Sequence, residues 1–304
     1  MKKILFGMLL LFMGRTFAQP LIYEEFNGWT GTTSPDGLWR RAGDWNGTGN
    51  NLLGLKNAVV SNTYDGKPGG YLTLTIRAGK LEGGEIQTIG TAGSNLGYGY
   101  YEVRMKVSDI SGGCNSFFWK EVDYGPGEID LEFLTNEKWT ATSGMVHCQL
   151  HEGNFGGPRK LPFSPSQDFH RYGFLYTKDK IDWTADGLVI QTLSMPTTTL
   201  PTTKGYIMMN AWTGNANWGG GPPTQDASAV YDWVKFWPGV DKIPEEASGV
   251  RWQIKPMVAG RDGVMIFSDV LRGESGVKVW SLGKDGLRNS LFEYNLIGIK
   301  SGGK

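Results

Sequence analysis

Glu128, Asp130 and Glu132 stand at every second position in Gly127-Glu128-Ile129-Asp130-Leu131-Glu132-Phe133. Side chains alternate across a strand, so this spacing predicts one acidic face and one apolar face of Ile129, Leu131 and Phe133. Like charges crowded on one face raise one another's pKa values, which can keep one carboxyl protonated beside an ionised neighbour. Such a pair can hand a proton to a leaving oxygen and also supply a nucleophile. The plainer reading is a half-solvated strand with an acidic outer face, and the triad alone leaves both open.

The segments around it are almost all strand-like. Tyr71 to Ile76 and Tyr100 to Val107 alternate cleanly, the latter with Tyr101, Val103, Met105 and Val107 on one face. Ser116–Lys120, Ile129–Leu134, Gly144–His151, Arg171–Thr177, Lys180–Thr184, Leu188–Ile190, Gly205–Trp212 and Ala229–Trp237 follow. Ala185-Asp186-Gly187 carries a hairpin signal. No long window has the i, i+3, i+4 apolar pattern of a helix, so an antiparallel two-sheet sandwich is expected.

Composition agrees. The chain has 304 residues, with 45 Gly, 12 Trp, 12 Tyr and 14 Phe. Glycine-punctuated strands with many aromatics suit a sandwich or barrel, and Trp and Tyr give flat platforms for sugar rings. Thirty basic and thirty acidic residues cancel, which points away from nucleic acid as a partner. Met1-Lys2-Lys3, the apolar run Ile4 to Phe12 and Thr16-Phe17-Ala18 form the pattern of a signal peptide cleaved after residue 18. The expected product is secreted or cell-surface, monomeric and not inserted in a membrane. Cys114 and Cys148 are the two cysteines. Pairing is open to an exported chain, but Cys148 in its alternating run reads most simply as a small buried residue. Ile243-Pro244-Glu245-Glu246-Ala247-Ser248-Gly249 reads as a linker, dividing a domain over 19–240 from a linker and tail over 241–304. The tail has further strand-like runs at Val250–Ile254, Gly263–Phe267, Gly276–Ser281 and Ser290–Ile299. It is expected to be dispensable for chemistry, either packing on the main domain or serving as a secretion or anchoring tail.

Four segments occur in the order seen in glycoside hydrolase family 16: Tyr98 to Lys106, Gly127 to Phe133, Ile207 to Trp212 and Tyr231 to Lys235. Over roughly residues 20–238 the chain resembles the bacterial lichenase branch, the endo-β-1,3-1,4-glucanases. The resemblance implies an all-β jelly-roll sandwich of the concanavalin-like kind, with a cleft for a polysaccharide and retaining double displacement. It implies Glu128 as nucleophile, Asp130 as assisting carboxylate and Glu132 as general acid/base. Asp130-Leu131-Glu132 lacks the extra residue found in many laminarinase-, agarase- and carrageenase-like members. A transglycosylase or another β-glucanase or galactanase shares the first half-reaction and stays open, as does a non-catalytic binding jelly roll.

By the same resemblance, Asn210 and Trp212 touch sugars and Glu85 is an acidic cleft residue, with Gln87 where an arginine is usual. Phe118 is a candidate wall. His147, Gln149 and His151 share a strand face and are expected as cleft donors. A metal shared by the two histidines is not expected, since i and i+4 on a strand lie too far apart for one ion and the sequence offers no third ligand. Pro126 replaces the tryptophan that precedes the lichenase nucleophile segment, and neither cysteine falls at the lichenase disulfide positions. No cofactor is expected for the chemistry. Asp232 matches the family's ligand for a structural Ca2+, whose oxygen-only coordination suits a carboxylate and backbone carbonyls.

Overall fold

The computed structural model describes residues 19–137, 139–151, 155–194 and 204–248, together with three tail strands. The leader at 1–18 and the expected strand at Val250–Ile254 lie outside the described residues. The main body is two antiparallel-dominated sheets packed face to face. One, the site sheet, runs Phe155–Leu161, Gly144–Leu150, Glu128–Leu134, Cys114–Glu121, Gly205–Trp212 and Glu82–Thr88, with short strands beyond. The outer sheet runs Leu188–Ser194, Lys180–Ala185, His170–Tyr176, Gly99–Lys106, Ala227–Pro238, Lys67–Ile76 and Ala58–Tyr64. This is the expected jelly-roll sandwich.

The core is written by alternation. Ile129, Leu131 and Phe133 point inward from the carboxylate strand, and Ile207, Met209 and Ala211 from the strand two places along. Tyr101, Val103, Met105 and Val107 face them from the outer sheet. Cys148 is buried in the same core and both cysteines are free thiols. Aromatic rings fill the centre: Tyr101 stacks on Phe174 at 4.9 Å and on Phe236 at 4.4 Å, and Phe117 lies 5.7 Å from Phe174. Burial of each such side chain stabilises by about 1.5–3 kcal/mol. The hairpin at Ala185-Asp186-Gly187 forms as read, with Asp186 (φ 47°) and Gly187 (φ 73°) both left-handed, the geometry of a type I′ turn.

Two core aromatics also carry polar tips that pin the site sheet from below. Trp183 Nε1 donates to the backbone carbonyl of Asp130 at 2.9 Å. The Tyr231 hydroxyl donates to the carbonyl of Ser116 at 3.0 Å. Buried Trp and Tyr usually satisfy their polar ends, and here they do so on the strands that bear the site.

The strand Glu82–Thr88 escaped the sequence reading because Gly83 and Gly84 dilute its pattern. The structure shows why they are glycines: a Cβ on Gly83 would lie 2.0 Å from the Ala211 carbonyl oxygen, and one on Gly84 2.3 Å from that of Asn57. The chain beyond Val240 also departs from a free linker. Val240 and Ile243 pack on Tyr100, Leu175, Trp237 and Ala247, Trp237 Nε1 donates to Glu246 at 2.7 Å, and Arg171 donates to the Ala247 carbonyl at 3.3 Å. Residues up to 248 therefore belong to the outer sheet's packing. In the tail, Met265–Val270, Gly276–Leu282 and Arg288–Asn295 form an antiparallel three-stranded meander.

Candidate active site

The carboxylate strand pairs in unbroken register with Cys114–Glu121, from Glu128 opposite Lys120 to Leu134 opposite Cys114. On its other side Asp130 faces Gln149 and Glu132 faces His147. Strand sterics therefore send Glu128, Asp130 and Glu132 to the same exterior face, with no bulge between them. That face floors a cavity of about 530 Å³ lined also by Glu85, Phe118, Gln149, His151, Asn210 and Trp212. Nine of the ten catalytic and sugar-contacting residues expected from sequence line this one depression. The tenth, His147, is buried beside it: its Nε2 meets Glu137 Oε1 at 2.7 Å and its ring packs edge-on to Trp218, centroids 5.1 Å apart. It supports the wall instead of offering a donor to a ligand.

The lining also contains Trp45, Thr48, Ser116, Lys120, Met208 and Trp218, which sequence reasoning did not single out. Ser116 and Lys120 were findable, since they share alternation with Phe118. Met208 likewise shares a face with Asn210 and Trp212. Trp45 opens a two-residue strand, and Thr48 and Trp218 come from turn segments, all too short to show a period. A buried clamp holds two of those segments together: Asn51 Nδ2 donates to the Thr213 carbonyl at 2.8 Å, and Thr213 N–H donates to Asn51 Oδ1 at 3.0 Å.

The three carboxylates have different partners. Glu128 is partly exposed, and Lys120 Nζ lies 2.7 Å from its Oε2. Asp130 is buried, with His151 Nε2 2.8 Å from its Oδ2, and burial pushes its pKa up against the opposing pull of His151. Glu132 meets neutral donors, the Cys114 thiol at 3.3 Å and the Trp218 indole N–H at 3.4 Å. Its pKa is raised, and the leading cause is burial, with Glu128 adding a smaller push and the two donors and His151 opposing. The like-charge crowding expected from sequence is therefore a secondary cause. Glu85 is buried too, and burial raises its pKa to about 7, against hydrogen bonds from Asn210 and Trp45 and the charge of Arg40. Arg40 sits opposite Gln87 on the adjacent strand, so positive charge reaches Glu85 from a neighbouring element where family members usually carry it at the Gln87 position.

Among the described residues, three or more acidic, histidine or cysteine side chains converge only at Glu128, Asp130 and His151, within 4.8 Å of one another. The two histidines, expected as cleft donors on one face, take different partners: His147 meets Glu137. His151 joins the carboxylates instead, and with Lys120 it balances their charge. Asp232, the residue expected as a calcium ligand, lies on the outer sheet. It is the bulged residue between Tyr231 and Trp233, and its Oδ2 accepts from the Arg104 guanidinium. A cation of the protein's own therefore compensates this carboxylate.

A cleft floored by one buried carboxyl among neutral donors and one part-exposed carboxyl beside an ammonium, ringed by Trp45, Trp212 and Trp218, is built to hold a sugar chain and cut between its units. The comparisons name the class. The profile of glycosyl hydrolases family 16 matches residues 55–235, and the chain belongs to this family; it is a glycoside hydrolase. It is similar to a β-glucanase of Paenibacillus polymyxa, 35% identical over 236 residues, covering 74% of this chain and 89% of that one. Among solved structures it resembles a prokaryotic β-1,3-1,4-glucanase (lichenase) derived from a mouse hindgut metagenome, with TM-score 0.57 and 29% identity over 71% of this chain and 98% of that one. The β-glucanase of Bacillus licheniformis aligns with TM-score 0.56 and 29% identity, over 71% of this chain and 96% of that one.

Proposed function

We propose that this enzyme cleaves mixed-linkage β-1,3-1,4-glucan at internal bonds, with retention of configuration. The observation that carries the reading is the unequal partnering of the outer carboxylates: Glu128 has an ammonium beside it, and Glu132 has burial and neutral donors. A cationic partner favours the ionised form, whereas burial favours the neutral one. In the first step Glu128 attacks the anomeric carbon, the glycosidic bond breaks, and Glu132 gives its proton to the departing oxygen. In the second, Glu132 takes a proton from water, whose oxygen displaces Glu128. Asp130 lies between them as the assisting carboxylate. Asn210, held by Ser116 Oγ at 2.5 Å and reaching Glu85 at 3.4 Å, together with Trp212, Gln149 and Phe118, orients the glucan.

The linkage preference is supported by the β-glucanase and lichenase relatives and by the unbulged Asp130-Leu131-Glu132 register. The chemistry draws on no cofactor, and the structural Ca2+ proposed at Asp232 by family resemblance would stand apart from it. We further propose a monomer acting outside the cell, on the leader pattern of residues 1–18; mass spectrometry of the exported product should give Gln19 as its first residue.

Reducing-end release from barley β-glucan and lichenan should exceed that from laminarin, xyloglucan and agarose. Proton NMR of the first product should show the β-anomer, and initial α-anomer would overturn the mechanism. Glu128→Gln and Glu132→Gln should each lower kcat by about 10²–10⁴-fold with the fold retained.

A further inference from the structure

His151 stands just past the end of the strand Gly144–Leu150, where its backbone N–H donates to the Glu128 carbonyl at 3.1 Å. This contact sets its ring diagonally between two carboxylates. Nε2 lies 2.8 Å from Asp130 Oδ2 and 3.7 Å from Glu128 Oε1. The histidine side chain is 54% exposed, whereas that of Asp130 is 3% exposed. A buried carboxylate with one partner depends heavily on that partner, because leaving it unpaired costs several kcal/mol.

The charged groups around the ring are few. Glu128, Asp130 and Glu132 face it from the carboxylate strand, and Lys120 from the next strand reaches the far oxygen of Glu128. Gln149 on its own strand is neutral, and the described partners of that strand's end, Gly156 and Phe155, carry no charge. The surroundings are thus net acidic, and they raise the ring's pKa to about 9, chiefly through Asp130.

Resting on the retaining reading above, we propose that His151 is a positioning residue of the catalytic group: as an imidazolium seated between Asp130 and Glu128 it offsets the desolvation of Asp130 and holds the two side chains in line, while Glu132 is left to burial and neutral donors. The division of partners carries this. Glu128 has Lys120 and Asp130 has His151, each a cation, whereas among the described residues a thiol and an indole are the groups that approach Glu132 directly. His151 neither gives nor takes a proton in the cycle. When Glu128 becomes a neutral glycosyl ester, the His151–Asp130 pair keeps its own balance. The floor has then lost one negative charge, which favours the ionised Glu132 that must act as base.

The chain has three histidines, so the ring signals can be followed in 15N-histidine-labelled full-length protein, with His151→Gln giving the assignment. The His151 signal should keep the imidazolium form through neutral pH and titrate near 9. Asp130→Asn should move that titration toward the ordinary value. In turnover on barley β-glucan, His151→Gln should lower kcat by about 10- to 100-fold, the scale of a misplaced catalytic group, with KM changed less than about 3-fold. It should also move the alkaline limb upward, since a cation that favours ionised Glu132 is gone. His151→Arg, which keeps the charge, should recover more of kcat than the glutamine variant. An ordinary His151 titration, or a His151→Gln effect confined to KM, would overturn the proposal. The NMR arm needs no substrate, so it stands apart from any failure of the glucanase reading.

Discussion

At Glu132 the contest is between burial, which holds the proton on, and donors that favour its loss. The Trp218 indole and the Cys114 thiol both point at Oε1. Removing either donor destabilises the carboxylate more than the acid. Trp218→Phe and Cys114→Ala should therefore each shift the alkaline limb of the kcat/KM profile to higher pH; a downward shift would mean that the contacts favour the protonated form. Glu85 poses a different question, because it is buried near the reacting groups without sharing their chemistry. Its folded pKa of about 7 lies above the unfolded value near 4.5, so its contribution to stability is fully present below pH 4.5 and lost as pH rises through 7. Glu85→Gln removes that dependence. Its stability relative to the parent should improve between pH 4.5 and 7 by up to about 3 kcal/mol, from 1.36 kcal/mol per pKa unit. Urea unfolding at pH 4.5 and pH 8 measures it.

The carboxylate strand is held by more than its two ladders. Trp183, on the outer sheet, crosses the sandwich to bond the backbone of Asp130, so the middle carboxylate is tied to the core at its own peptide. Trp183→Phe keeps most of the apolar volume and deletes the donor. It should cost about 1–3 kcal/mol in urea unfolding, the loss expected when a buried acceptor is left without a partner. It should also lower kcat while leaving substrate affinity nearly unchanged, because the strand that sets the geometry loosens and the cleft residues proposed to hold the glucan, Asn210 and Trp212, lie on another strand. An unchanged unfolding midpoint would show that the bond contributes nothing net.

For the molecule as a whole, side-chain packing on the outer sheet runs past the break that composition marks near Val240. Pro244, Glu245, Glu246 and Ser248 read as linker, yet Ile243, Glu246 and Ala247 cover Tyr100, Leu175 and Trp237 on the outer sheet. Cutting after Val240 should expose this cluster and lower the melting temperature by several degrees, since about 1 kcal/mol shifts Tm by 2–4 °C in a domain of this size. Cutting after Ser248 should leave both melting and turnover on soluble β-glucan in place. Equal stability of the two truncations would return the boundary to residue 240.

The alternation of acidic and apolar residues over Glu128 to Phe133 determined that three carboxylates share a face, because period two is a property of the extended chain itself. The same local rule made the core faces of Tyr101 to Val107 and Ile207 to Ala211 legible, and with them the sandwich and most of the cleft floor. It could not say which cation meets which carboxylate, since Lys120 and His151 reach Glu128 and Asp130 only across neighbouring strands whose order the sequence does not encode locally. Strands diluted by close-approach glycines, such as Glu82–Thr88, were invisible for the same reason: Gly83 and Gly84 answer to the carbonyls of distant Ala211 and Asn57. Aromatics on segments of two or three residues, Trp45 and Trp218, have no period to betray them. Which carboxyls burial presses on was likewise decided by the tertiary structure. Burial of Glu132 against neutral donors, and of Asp130 against His151, depends on what the fold brings alongside, not on the spacing of three acids along one strand.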